Sequence, residues 1–138
     1  MSSHFEYERT LLWGECDPAG IIYFPHYARW MNEGIERLLI DRGLHPGREF
    51  APGFRYGLPA VRSVLEYKTP AVVYDRVVHR VTVEKIGRKS ITFRHVVTRD
   101  GQTLMEAEDT RVWAQHSTHD GKIESREIPE DVRSVLSR

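Results

Sequence analysis

"FPHYARWMNEGIERLLIDRG", residues 24 to 43, decides the architecture, because its apolar side chains recur at helical rather than strand spacing. From Pro25 onward Tyr27, Trp30, Met31, Gly34, Ile35, Leu38 and Leu39 fall three and four positions apart, while Arg29, Glu33, Glu36 and Arg37 lie largely elsewhere. The pattern predicts an amphipathic helix over 25–42. Pro25 suits the first helical position, where its missing N–H costs nothing, and Gly43 can take the left-handed conformation that ends a helix. At about 1.5 Å per residue such a helix is roughly 25 Å long.

Upstream of it, Phe5 to Trp13 has weakly alternating strand character that stops at Gly14. Downstream, Gly43 to Pro59 ("GLHPGREFAPGFRYGLP") is rich in Gly and Pro and reads as an irregular connection with room for one helical turn, not as a linker between domains. After Pro59 the period becomes two. Val61, Leu65 and Tyr67 alternate with Arg62, Glu66 and Lys68; Val77, Val81 and Val83 with Arg80, Thr82 and Glu84; Ile91, Phe93 and Val97 with Thr92, Arg94 and Thr98. Gly87 separates the second and third of these strands, and "RDGQ" (99–102) is a turn into a fourth, Thr103 to Gln115. In that fourth strand the apolar set moves from Met105 and Ala107 to Val112 and Ala114, as expected of a bulge or of two buried faces. "IPEDVRSVLSR" closes the chain as a short helix with Pro129 near its start.

One strand, a long helix and about four strands joined mainly by tight turns predict an α+β domain, an antiparallel sheet with the helix on one face. The 138 residues suffice for one such domain, 1–138, and not for two. Val78, Val96 and Leu104 place apolar side chains on the opposite parity, so part of the other face or an edge is expected to be covered by a second copy of the chain. Twenty basic residues balance twenty acidic ones, so no global field recommends nucleic acid or an anionic membrane as partner. A single cysteine, Cys16, excludes an internal disulfide framework, and no early apolar run resembles a signal peptide or a membrane span, which points to the cytoplasm.

The approach to the helix, "WGECDPAGIIYFPHY" (13–27), holds the candidate chemistry. Pro18 biases Asp17 towards extended backbone and Gly20 permits a sharp bend, so the carboxylate is held on a rigid turn. The N–H groups of Phe24, His26 and Tyr27, with the helix dipole behind them, would suit a developing oxyanion. On physics alone "DPAG" reads first as a common structural turn, and spacing by itself does not prove a site. Other candidates are weaker. Cys16 has no evident base, His26 at a helix start is ordinarily solvated, and His116, His119 and Asp120 lack a fourth metal ligand. "GRKS" (87–90) lacks the glycine spacing of a P-loop.

"GECDPAGIIYFPHYARWMNEG", followed by "GRKSITFRH", "GLPAV" (57–61) and a closing "IPED", resembles the 4-hydroxybenzoyl-CoA thioesterase family of hotdog-fold proteins over nearly the whole chain. The resemblance implies a sheet of about five strands wrapped around one long central helix, paired subunits with active sites at their interface, and commonly a homotetramer. It implies an acyl-CoA substrate and no cofactor or metal, coenzyme A being part of the substrate. Asp17 matches the carboxylate that attacks the thioester or activates water, and Phe24 the residue whose backbone N–H polarises the carbonyl. Tyr23, Tyr27, Trp30, Asn32, Pro59 and Val61 are then candidate acyl contacts, with Leu58 opening the far wall. Arg88, Lys89 and Ser90 are candidates for the coenzyme A phosphates. Asn32 stands where 4-hydroxybenzoyl-specific members carry an acid, Gly47 where they carry a tryptophan, and Gly87 replaces one basic residue of the coenzyme A cluster, so the acyl group is open between aromatic and medium-sized. An acyl-CoA-binding protein without turnover, or a hydratase or dehydratase using His26, are the rival readings.

Overall fold

The computed structural model describes residues 3–138. Strand β1 (His4–Thr10) leads through one 3-10 turn (Trp13–Glu15) to helix α1 (Pro25–Asp41). Then come β2 (Glu49–Ala51), β3 (Phe54–Gly57), β4 (Ala60–Tyr67), β5 (Arg76–Ile86), β6 (Ser90–Arg99), β7 (Gln102–Val112), β8 (Ala114–Ser117), β9 (Ile123–Ser125) and helix α2 (Glu130–Leu136). Five strands form an antiparallel sheet in the order β1-β5-β6-β7-β4, and a smaller sheet has the order β2-β3-β8-β9. The α+β architecture is as expected. The helix is 17 residues long, an ordinary length rather than an exceptional one, ending one residue short of the expected span with Arg42 as its cap and Gly43 at φ 79°.

Burial alternates along β5 and β6, so Val77, His79, Val81 and Val83 share one face with Ile91, Phe93, His95 and Val97. Onto that face α1 lays the seven residues that the periodicity picks out, Tyr27 to Leu39. The core divides into two apolar clusters, one around Trp30, Met31 and Leu104, the other around Leu38, Phe93 and Trp113. Helix α2 closes the second with Val132 and Leu136.

Four expectations need correction. The connection 43–59 is not irregular throughout: β2 and β3 form a hairpin there, with Gly53 at φ 80° supplying its turn, and no helical turn is present. The first strand stops at Thr10, because Trp13 to Glu15 turn back in the 3-10 conformation. The fourth strand after Pro59 is not one element. The register jumps between Thr98↔Thr103 and Val97↔Met105, leaving Leu104 as a bulge. Nine residues further on, Trp113 stands alone between β7 in the large sheet and β8 in the small one. The bulge turns Leu104 into the chain's own core, where it is fully buried, so it does not belong to the opposite face.

Candidate active site

Asp17 sits at the tip of a small hairpin built by local hydrogen bonds. Tyr23 N–H donates to Glu15 O (2.8 Å), Cys16 bridges Ile22, and Asp17 N–H donates to Ile21 O (2.9 Å). Gly20 closes the tip at φ 80°, its N–H donating to Asp17 O (2.9 Å). One edge of the hairpin is bonded to the segment before β5, through Ile22 N–H to Ala71 O (2.9 Å) and Val73 N–H to Gly20 O (3.0 Å). The Asp17 side chain is half-buried, and its Oδ1 accepts the N–H of Ala19 (2.9 Å). That Asx turn fixes the carboxylate's rotation and leaves Oδ2 with no protein donor among the described residues.

The helix begins two residues after Tyr23. Pro25 occupies its first position and Phe24 caps it with φ −53° and ψ −31°. Of the three candidate amide donors, two are spent: His26 N–H donates to Tyr23 O (2.9 Å) and Tyr27 N–H to Phe24 O (3.1 Å). Only the Phe24 N–H meets no acceptor among the described residues, so the oxyanion donor narrows to that one amide, at the positive end of the helix dipole.

Beside it lies an apolar cavity of about 220 Å³, lined by Ile21, Phe24, Tyr27, Tyr67, Pro70 and Leu104 among others. The rings of Phe24 and Tyr27 both meet that of Tyr67, at 6.2 and 5.9 Å between centroids. Burial, and then proximity to Tyr67, raise the Tyr27 hydroxyl to about 12, so it stays neutral. Trp30 does not line this cavity. It is fully buried, edge-on to Tyr27, and its Nε1–H donates to Glu15 Oε2 (2.8 Å), so it is core rather than wall. Tyr23 is exposed on the outer side of the helix start, against Phe24 and His26.

The remaining candidates lie elsewhere in the chain. Asn32, with Leu58 and Arg111, lines a separate cavity of about 90 Å³. Pro59 and Val61 stand exposed where β4 begins, at the edge of the large sheet. Arg88 and Lys89 occupy the exposed turn between β5 and β6 and Ser90 opens β6; Arg88 pairs with Glu127 (2.6 Å), and Lys89 has no ion-pair partner among the described residues. No group of three or more metal-ligating side chains occurs among the described residues. Burial and the adjacent carboxylates of Asp17 and Glu15 push the Cys16 thiol up, keeping it protonated.

A second polar constellation escapes the sequence reading. Tyr7 Oη bonds His79 Nδ1 (2.8 Å), His79 Nε2 bonds His95 Nδ1 (2.9 Å), and His95 Nε2 lies 3.6 Å from Asp109 Oδ2. Arg111 grips Asp109 through Nε and Nη2 (2.9–3.1 Å) and spends Nη1 on Asn32 Oδ1 and Leu58 O (both 3.1 Å). Burial, reinforced by His95 and Arg9, holds His79 well below the usual imidazole range; burial likewise lowers His95 against the opposing pull of Asp109. Burial alone would raise Asp109, but its contacts with His95, Arg111 and Ser63 outweigh that and bring it to about 2. With Asp109 anionic, one set of tautomers runs through the row: His79 donates Nε2–H to His95, Tyr7 donates O–H to His79, and His95 turns Nε2–H towards Asp109, which at 3.6 Å attracts it without a full hydrogen bond. The signal was present in the sequence, as histidines at positions of buried parity in two adjacent strands.

A family model described as the thioesterase-like superfamily matches residues 11–136. The chain is 30% identical over 143 aligned residues to the 4-hydroxybenzoyl-CoA thioesterase of Pseudomonas sp. strain CBS-3, covering 99% of this chain and 100% of that one. It is 28% identical to the 1,4-dihydroxy-2-naphthoyl-CoA hydrolase of Synechococcus sp. strain CC9605, over 72% of this chain and 69% of that one. Among solved structures, a 4-hydroxybenzoyl-CoA thioesterase with an Asp-to-Asn substitution, complexed with 4-hydroxybenzoyl-CoA, superposes with a TM-score of 0.88 at 26% identity, covering 99% and 100% of the two chains.

Proposed function

The chain belongs to the thioesterase-like superfamily, and from that premise we propose that Asp17 and the Phe24 N–H hydrolyse an aromatic acyl-CoA to the free acid and coenzyme A. The observation that carries the assignment is that the hairpin leading into α1 holds a carboxylate with one free oxygen and ends at the single unspent amide of the helix start, whose residue, Phe24, lines an apolar, aromatic cavity. A thioester suits so small a set of groups. Its carbonyl carbon is more electrophilic than an amide's and its thiolate leaves readily, so neither a metal nor an organic cofactor is needed.

The Phe24 N–H accepts the charge that develops on the carbonyl oxygen, in a setting where a fixed dipole outperforms water. Asp17 Oδ2 acts in one of two ways. As nucleophile it adds to the carbonyl carbon; collapse expels the thiolate, and water then opens the mixed anhydride to give the acid and restore Asp17. As general base it takes a proton from a water that adds instead, and the acid forms in one displacement. Label appearing in Asp17 after a single turnover in 18O-water identifies the nucleophilic route.

The working unit in this reading is a dimer. Strand β4 is hydrogen-bonded on one side only, to β7, and exposes Val61 (60%) and Tyr67 (53%). Two β4 strands paired antiparallel about a two-fold axis continue the sheet and give Asn32, Pro59 and Val61 a place against the partner's acyl group, with Arg88, Lys89 and Ser90 holding the nucleotide phosphates. Two such dimers make a homotetramer. A cytoplasmic location is part of this reading, supported by a single cysteine that can form no internal disulfide; among the described residues no helix is long and apolar enough to cross a membrane.

The test is thiol release across a panel of aromatic and aliphatic acyl-CoAs by the unaltered protein and by Asp17→Asn. Turnover of aromatic thioesters, reduced about 10²–10⁴-fold in the variant, supports the proposal. Saturable binding with no thiol release, or undiminished turnover by the variant, rejects it.

A further inference from the structure

We propose that Glu15 is the positioning residue of this site: its carboxylate clamps the Asp17 hairpin to the buried second turn of α1, and thereby sets Asp17 against the Phe24 amide. The inference rests on the thioesterase reading above.

The hairpin has two edges. One is bonded to 71–73, as described; the other is tied to the 3-10 turn by Glu15 N–H to Leu12 O (2.9 Å) and Cys16 N–H to Trp13 O (3.0 Å), and is joined to the second turn of α1 by the Glu15 side chain. Its backbone carbonyl forms the base of the hairpin by accepting Tyr23 N–H. Its side chain, only 12% exposed, reaches the other way. Oε2 accepts Trp30 Nε1–H (2.8 Å) and Arg29 Nη2–H (2.5 Å), Oε1 accepts Leu12 N–H (3.1 Å), and Arg9 Nη1 lies at 4.0 Å. Trp30 is the fixed end of the clamp, fully buried under Arg9, whose guanidinium stacks on its ring at 4.4 Å. Burial alone would raise the Glu15 carboxyl, but Trp30, Leu12, Arg29 and Arg9 together lower it, so it is anionic, accepts from Trp30, Leu12 and Arg29, and attracts Arg9 through its charge alone.

Asp17 makes no side-chain hydrogen bond to the helix; among the described residues its one side-chain bond is to Ala19, within its own turn. Its placement relative to the helix start therefore runs through the hairpin backbone and the clamp two residues earlier. A displacement of about 1 Å in such a geometry costs on the order of 10² in rate.

Two measurements test this, with Glu15→Ala, Glu15→Gln and Trp30→Phe. Glu15→Gln keeps an acceptor for Trp30 and loses the charge, and Trp30→Phe deletes only the N–H and the outer ring, so both remain informative if Glu15→Ala does not fold. In steady state we expect kcat to fall about 10²-fold in Glu15→Ala with KM changed less than about threefold. We expect an intermediate loss in Glu15→Gln, and a loss in the Glu15→Gln/Trp30→Phe pair that is less than the product of the two singles. In amide exchange of the unliganded protein, Ala19, Gly20 and Tyr23 should exchange at least about tenfold faster in the variants while β5 and β6 are unchanged. Unchanged hairpin exchange, or unchanged kcat in folded variants of an active protein, overturns the role. If the unaltered protein hydrolyses no acyl-CoA, the functional reading fails, and the exchange measurement still decides whether Glu15 is the clamp.

Discussion

Asp17 combines two demands that usually conflict, fixed orientation and an unoccupied oxygen. The Ala19 N–H satisfies the first through Oδ1 and leaves the second to Oδ2. An asparagine keeps a carbonyl oxygen for Ala19, so Asp17→Asn should unfold within a few degrees of the unaltered protein while losing turnover; a large fall in its melting temperature would mark a structural carboxylate. This residue was legible in sequence because its neighbours announce it, Pro18 and Gly20 shaping the turn and Pro25 the helix start. Glu15 was not. Its partner Trp30 is fifteen positions away, and nothing in a charged residue before a cysteine reveals which indole it will meet. His26 and Tyr27 were legible as donors only in number, since the carbonyls that consume their N–H groups depend on how Tyr23 and Phe24 turn.

Between elements, the tightest fit lies where α1 crosses β5. Gly34 faces the His79 ring so closely that an added Cβ would stand 2.7 Å from Cε1. The ring cannot swing aside, being held by Tyr7 at one nitrogen and His95 at the other. Gly34→Ala gains helix propensity of about 1 kcal/mol and should still lower the unfolding free energy by about 1–3 kcal/mol net through overpacking, measured by urea denaturation. The helix and the three alternating strands after Pro59 were readable because periods of 3.6 and 2 are written in apolar residues. Strands β2 and β3 were hidden by the Gly and Pro around them. Trp113 gave no sign that one residue separates two sheets, because an apolar residue between apolar neighbours carries no mark of a change of direction.

At the scale of the molecule, the row from Tyr7 to Asp109 makes stability depend on pH. His79 and His95 are lowered in the folded protein, so below about pH 6.5 the unfolded chain binds protons that the native state refuses. Their contribution is therefore complete above that pH and is lost as pH falls. Between pH 7 and 5 the unfolding free energy should decline with a limiting slope of about 2.7 kcal/mol per pH unit if both remain neutral, and about half that in His79→Gln. Denaturant titrations at stepped pH would show it, and a flat profile would mean that the imidazoles take up protons in the fold as readily as in the unfolded chain. Asp109 acts in a lower window, its contribution disappearing from about pH 3.8 towards 2. Assembly is the second property at this scale. In the proposed β4–β4 dimer, Val64→Asp, at a position exposed midway along β4, brings repelling charges to the shared edge and should halve the sedimenting mass and lower turnover together. Full mass and full rate would place the interface elsewhere.

The lone position of Trp113 bears on what variation this scaffold can survive. Its N–H is held by Lys89 O (2.7 Å) and its carbonyl by Arg126 N–H (3.0 Å), while its indole stacks on Tyr56 at 4.4 Å. One residue inserted or deleted there would invert the in-and-out order of everything in β8, turning Ala114 towards solvent and its neighbours inward. The spacing between Val112 and Ala114 is thus a fixed length, whereas the exposed loop at 118–122 has slack to grow, and natural or engineered lengthening of this chain belongs there.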